Sequence, residues 1–273
     1  MTTKRIHFYL NGLNGLNGLN GLNGLQGAMI LSLCSIGSIA HADDWTFEVE
    51  PYAMATSIDG DTSVGRITGA DVEVDFDTIL ESLDLAGMIH AEAFHESGWG
   101  MAIDYGFMEL SEDLSGPRGG VAEVEVRQAV LQLDAIYRQA HGTGTLDYLA
   151  GVRWWDNDLE VTIDPAILPG TLKLEVKEDW YDVFVGARWK APINDQWKYM
   201  LRGEIGGFGL EADLTSVLAA GVLYSFNSDW ALDIQYKATM VDYEDGTKGQ
   251  KGYFAFDTVT HGPILGLVYN FKN

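Results

Sequence analysis

Cysteine is nearly missing from this chain: Cys34 is the only one among 273 residues. No run of about eighteen apolar residues occurs either, which excludes a helical membrane span. Basic residues are scarce, 17 Lys and Arg against 40 Asp and Glu, for a formal charge of −23. A polyanion of this size does not hold nucleic acid through backbone phosphates. What remains is 47% hydrophobic, enough for one domain with a substantial core.

The N-terminus reads as a removable address. Lys4 and Arg5 form a positive start, Ala28 to Ala40 is mostly apolar, and Ala40-His41-Ala42 is an A-x-A cleavage site before Asp43. Five copies of Asn-Gly-Leu, Asn11 to Leu25, lengthen this leader. Either their copy number tunes export, or they are tolerated because the segment is cut away, the preferred reading. The expected division is a signal peptide over 1–42 and one domain over 43–273. Leu31-Ser32-Leu33-Cys34 faintly resembles a lipoprotein box, but Leu33 stands where a small residue is needed. Cleavage removes Cys34, Lys4 and Arg5 and no acid, leaving 15 bases against the 40 acids. A mature chain without cysteine suits an oxidising compartment.

From Trp45 onward, side chains alternate with period two. Trp45, Phe47, Val49, Pro51 and Ala53 share one face of the first stretch, and Thr46, Glu48, Glu50, Tyr52 and Met54 the other. The pattern predicts strands near 45–57, 86–95, 99–110, 126–140, 144–157, 179–191, 196–208, 215–226, 230–243 and 253–271. Every even strand ends in a tight turn, such as Glu96-Ser97-Gly98 or Asn227-Ser228-Asp229, and every odd one opens into something longer. The two largest loops span 58–85 and 158–178.

The chain closes on Pro263-Ile264-Leu265-Gly266-Leu267-Val268-Tyr269-Asn270-Phe271. Gly266, Tyr269 and Phe271 resemble the C-terminal assembly signal of Gram-negative outer-membrane β-barrels. With the leader, the even strand count and the long–short rhythm, the whole mature length is similar to that class. Asp75 to Asp84 also resembles the Asp-Phe-x-x-Ile-Leu-x-x-Leu-Asp first loop of a group of small barrels, which implies no activity. The class resemblance implies an all-β, transmembrane antiparallel β-barrel of about ten strands, with long extracellular loops and a short helix in the first. It also implies location in the cell outer membrane, and insertion by the barrel assembly machinery with periplasmic chaperones. Outer-membrane lipid and lipopolysaccharide are the expected surroundings, and no cofactor is expected.

On that reading Trp99, Trp197, Trp230, Tyr137, Tyr269 and Phe271 form one interfacial girdle, with Trp154 and Trp180 toward the other. The inward set is charged: Glu48, Glu50, His90, Glu92, Asp104, Asp134, Arg138, Asp147, Arg153, Asp182, Arg188, Lys190, Lys198, Arg202, Glu204, Asp233 and Lys237. Buried charges need partners, so an ion-pair network is expected to plug the periplasmic half. The outer half carries Met54, Gly106, Met108, Val130, Gly151, Phe184, Gly206 and Ala219. Such residues either leave a pocket open to the outside or are covered by loop side chains.

In the first loop, Asp71 to Phe76 alternates as a strand and runs into a helix over Asp77 to Leu83, with Phe76, Ile79, Leu80 and Leu83 on one face. An aspartate can cap its start. Similar alternation at Val124, Val126, Leu159 and Val176 suggests barrel strands that continue beyond the membrane around an apolar cluster. The loops hold 25 of the acids against 6 bases. Asp59-Gly60-Asp61 and Asp156-Asn157-Asp158 lack the rest of a calcium site.

Ten strands is also the count of the omptin proteases, which place aspartates and a histidine on the outer rim. His90, His95, His141 and His261 do not match that pattern, so no catalytic residue and no metal site is expected. Two functions are expected to compete: a closed structural or surface-interaction barrel, and a narrow porin-like channel or pocket for a small solute or lipid-like ligand. An omptin-like surface hydrolase is the third reading.

Overall fold

The computed structural model describes residues 44–115, 121–164 and 172–271. The leader over 1–42, with its repeats and Cys34, lies outside the described residues. Along the chain come β1 (Trp45–Met54), β2 (Ser57–Val64), β3 (Ile67–Val74), α1 (Phe76–Glu81), β4 (Leu83–His95), β5 (Trp99–Ser115) and β6 (Val121–His141). They are followed by β7 (Gly144–Asp164), β8 (Leu172–Pro192), β9 (Trp197–Gly207), β10 (Ala212–Ser225), β11 (Trp230–Asp245) and β12 (Phe254–Phe271).

β1 and β4 to β12 close into a ten-stranded antiparallel barrel, each pairing with its neighbour in sequence and β1 pairing with β12. Closure follows from alternation. Every strand has one face that needs an apolar exterior and one that carries charge, and a closed sheet separates the two without leaving an edge. Along β5, Trp99, Met101, Ile103 and Tyr105 point out while Ala102 and Met108 are buried within.

β6, β7 and β8 are 21 residues each, about twice the ~10 needed to cross a bilayer. Their ladders continue unbroken past the strand ends read from the sequence, from His141↔Gly144 up to Val121↔Asp164. Extension beyond the membrane keeps Val126, Leu159 and Val176 facing the barrel axis and turns Glu125, Asp158 and Glu160 outward. On the opposite side β2 and β3 form a hairpin that adds to the upper part of β12.

Pro263 does not break β12. β12 changes partner here, from β1 at Met54↔Ile264 to β2 at Ser57↔His261. The Pro263 carbonyl accepts the Ala55 N–H at 2.9 Å, and its missing donor falls in the gap between β1 and β2. Neighbouring Gly262 is required, because a Cβ there would lie 1.9 Å from the Ala55 carbonyl oxygen.

α1 starts one residue earlier and ends two earlier than the sequence suggests. Ile79 is buried, Phe76 and Leu80 are exposed, and Leu83 already belongs to β4. Asp75 precedes the helix in extended conformation without a side-chain cap bond. Six residues cannot present one continuous apolar face, so a single anchor seats the helix.

Between β9 and β10 the wall is low. Gly207, at the end of β9, and Phe208 and Gly209 of the following turn hold positive φ (83°, 55° and 68°). Above it β8 has no β9 partner, and the Tyr181 N–H donates instead to the Glu211 carboxylate at 2.7 Å. Lys173 and Lys177, ion-paired to Glu160 and Glu175 on the same outer face, place charge along this free edge. Charge at an edge discourages pairing with another strand.

Candidate functional site

The lumen holds two sets of hydrogen-bonded charges, placed by strand parity. In the first, the Tyr52 hydroxyl donates to Asp104 at 2.9 Å, and His90 bridges Asp104 and Glu92 through its two ring nitrogens at 3.0 and 2.9 Å. Arg188 of β8 reaches across the lumen to grip Glu92 of β4, while its Nη2 also donates to Asp147 at 2.8 Å. Arg138 closes this set with two bonds to Asp147, at 2.7 and 2.9 Å.

In the second set Arg202 joins Glu204 at 2.5 Å and Asp134 at 3.1 Å. Arg153 donates to Glu204 at 2.5 Å and to the Gln132 carbonyl at 2.8 Å, and lies 3.7 Å from Asp182. Trp155 donates its indole N–H to Asp182 at 2.9 Å. Asp147 and Asp182 are wholly buried, and Arg153 and Arg188 nearly so. Arginine suits such positions because its planar fork satisfies two acceptors at once.

Of the charged positions expected to meet in the lumen, most therefore do. Glu48, Glu50, Asp233, Lys190 and Lys237 line a polar cavity of about 70 Å³ beside the two sets, room for on the order of five waters. Lys198 is different. It is exposed near the periplasmic end of β9 and makes no ion pair among the described residues. Parity gave its side but not its depth, and two residues from a turn a lysine stem reaches water. Tyr52 and Gln132 complete the network without carrying charge, so a search for charges passed over them, although both share the inward parity.

The outer half of the lumen is filled, not open. Trp180 stacks on Tyr243 at 4.1 Å and on Trp155 at 5.7 Å, with Phe254 and Phe256 against them. These side chains come from β7, β8, β11 and β12, so the strand walls themselves close the upper lumen, while Phe184 of β8 fills the space that Gly151 and Gly206 leave. Trp180 does not join an outer girdle. It pairs with inward Trp155 and is 1% exposed, whereas its neighbour Tyr181 and Trp154 face out.

Outside, the periplasmic strand ends carry a ring of paired aromatics. Trp99 packs on Tyr137 at 4.9 Å, Trp197 on Tyr224 at 4.8 Å, Trp230 on Tyr269 at 4.7 Å and Tyr269 on Phe271 at 4.8 Å. Above them lies an apolar belt that includes Ile103, Leu133, Val152, Val185, Leu201, Ile205, Leu218, Ile234 and Leu265, all exposed. Exposed apolar side chains over a closed sheet, bordered by aromatics, are stable only against lipid. This is a β-barrel of the outer-membrane type.

No family model matches the chain, and no curated protein matches it. Among solved structures it is similar to the translocator domain of the autotransporter NalP from Neisseria meningitidis, with 13% identity, a TM-score of 0.49, and coverage of 85% of this chain and 90% of that one. It is also similar to Ail, the attachment invasion locus protein of Yersinia pestis, with 8% identity, a TM-score of 0.38, and coverage of 84% and 99%. Neisserial surface protein A follows with 11% identity, a TM-score of 0.33, and coverage of 83% and 97%.

The remaining histidines lie on the barrel's exterior or at its turns. His261 accepts or donates between the Tyr236 hydroxyl at 2.7 Å and Asp59 at 2.8 Å. His95 Nδ1 lies 2.8 Å from Ser97 Oγ and takes the Ser97 N–H at 3.2 Å, with Asp44 at 3.9 Å from its other nitrogen. That Ser–His contact, not read from the sequence, closes the β4–β5 turn. His141 is exposed at the β6–β7 turn, its ring edge-on to Trp189.

Above the membrane the outward faces are acidic. Asp242, Asp257, Asp61 and Asp71 stand directly opposite one another across β11, β12, β2 and β3, with Asp213 beside Asp242 at a bulge. Burial, then repulsion from Asp257, Asp213 and Glu244, pushes the Asp242 carboxyl above its usual range.

Proposed function

We propose that this barrel is closed to solutes and acts through its extracellular sheets, as a structural or surface-interaction protein of the outer membrane. The observation that carries this reading is the Arg188 bridge, which ties β8 to Glu92 on the far wall beside a cavity of about 70 Å³. Such a bridge is costly to break in a low-dielectric interior. Closure by charge below and by stacked rings above suits a wall better than a conduit.

On this reading insertion proceeds through Gly266, Tyr269 and Phe271, recognised by the barrel assembly machinery after delivery by periplasmic chaperones. Lipopolysaccharide then surrounds the upper belt. The chain is no enzyme: His90 is held between two carboxylates, and His95 serves a turn. A channel is the second reading, favoured by Lys190 and Lys237, which face the cavity without an ion pair among the described residues. Sugar uptake by proteoliposomes tests the choice. Vesicles carrying the refolded barrel should swell no faster than empty ones, and fast swelling would favour the channel.

A further inference from the structure

Two acids in the lumen wall approach one another without a cation between them among the ion pairs of the described residues. Glu50 of β1 and Asp233 of β11 are separated by β12, yet the Glu50 carboxyl lies over Gly266 of that strand, the direct cross-strand neighbour of Asp233, and both acids line one cavity. Gly266 makes the approach possible. It pairs with Asp233 on one side and Tyr52 on the other, and a Cβ there would lie 1.9 Å from Glu50 Oε1. The Glu50 side chain thus occupies the space a larger residue would fill and reaches over the strand toward Asp233.

Both groups are deeply buried, Glu50 at 7% and Asp233 at 3% exposure. Gln235 donates to one Asp233 oxygen, while the other, Oδ1, is buried and has no protein donor. Two carboxylates are both acceptors. Converging in a buried wall, two carboxylates repel unless something positive stands between them.

We infer that Glu50 and Asp233 hold one shared proton, a proton-binding site built into the lumen wall. A metal ion fits less well, since no group of three or more His, Cys, Asp and Glu among the described residues is disposed to hold one. The surroundings supply charge of both signs. Glu48 lies on the same strand as Glu50, His90 and Glu92 face it from β4, and Lys190 faces it from β8, all around the one cavity. Lys190 partly balances the remaining negative charge, and a second full cation beside it would be repelled. Gly266 thereby has a second use besides its place in the closing strand: it is the cradle of the pair.

Infrared spectroscopy of the refolded barrel at neutral pH tests this directly. A protonated-carboxyl C=O band, shifted in D2O, is expected in the native protein and should be lost in both Glu50→Gln and Asp233→Asn. Each amide supplies an N–H where the proton stood, so both variants should unfold at the native urea midpoint or above it. Absence of the band in the native protein overturns the proposal, as does its survival in both variants. A native barrel without the band, whose urea midpoint rises with added calcium or magnesium and loses that rise in Asp233→Asn, would assign the site to a metal ion instead. Should Asp233→Asn fail to fold, the native spectrum and Glu50→Gln decide the matter alone.

Discussion

Trp180 of β8 and Tyr243 of β11 lie face to face across the barrel, their ring centroids 4.1 Å apart and their planes 10° from parallel. Two strands separate them in the wall, but β9 and β10 stop short at Gly207 and Ala212, and the rings meet over the low turn. Trp180→Ala should remove the roof of the lumen and cost about 3–5 kcal/mol. Urea unfolding of the refolded barrel, followed by the gel shift of the heat-denatured form, measures the loss.

Arg188 serves Glu92 and Asp147 at once. Arg188→Met leaves two buried carboxylates facing each other and should cost about 3–5 kcal/mol. Adding Glu92→Gln to it should recover part of that loss, because one stranded charge is gone. The same unfolding assay reads both variants, and equal midpoints for the single and double variants would mean that Glu92 carries no stranded charge.

The acidic row above the membrane makes stability depend on pH in the direction opposite to an ion-paired carboxylate. The folded Asp242 carboxyl titrates above its unfolded value, chiefly through burial and then through its acidic neighbours. The folded state therefore binds the extra proton, and this contribution is present at low pH and lost as pH rises through the raised value. Asp257→Asn should raise the thermal midpoint at pH 7, and the gain should shrink as the pH falls toward the range where Asp242 is protonated. Added salt should narrow the difference as well, since these charges face water.

Phe208 holds φ at 55°, a region that costs a side chain roughly 1–2 kcal/mol and that asparagine tolerates better. Phe208→Asn should therefore stabilise the β9–β10 turn, seen as a higher urea midpoint with an unchanged slope. A lower midpoint would mean that Phe208 gains more from its lipid surroundings than it loses in backbone strain.

The barrel was legible because a closed sheet writes itself as period two, and the tight turns after β4, β6, β8 and β10 mark the register. Most of the lumen charges followed from the same parity. Depth did not: Lys198 and Arg202 have the same parity on β9, and only the distance from the turn separates an exposed lysine from a half-buried, ion-paired arginine. Trp180 was misplaced because its nearness to a membrane interface was read without its facing, which Trp155 beside it decides. Contacts between strands far apart in sequence, such as Glu92 with Arg188 or Trp180 with Tyr243, depend on barrel diameter and strand length. Neither is written in local alternation.

The central claim is that the lumen is closed twice, by the arginine network and by the aromatic roof. Planar-bilayer recording of the native barrel, Trp180→Ala, Arg188→Met and the double variant tests it most directly. The account predicts a silent native protein, silence or rare flicker in each single variant, and resolvable openings in the double. Steady openings in the native barrel would contradict it.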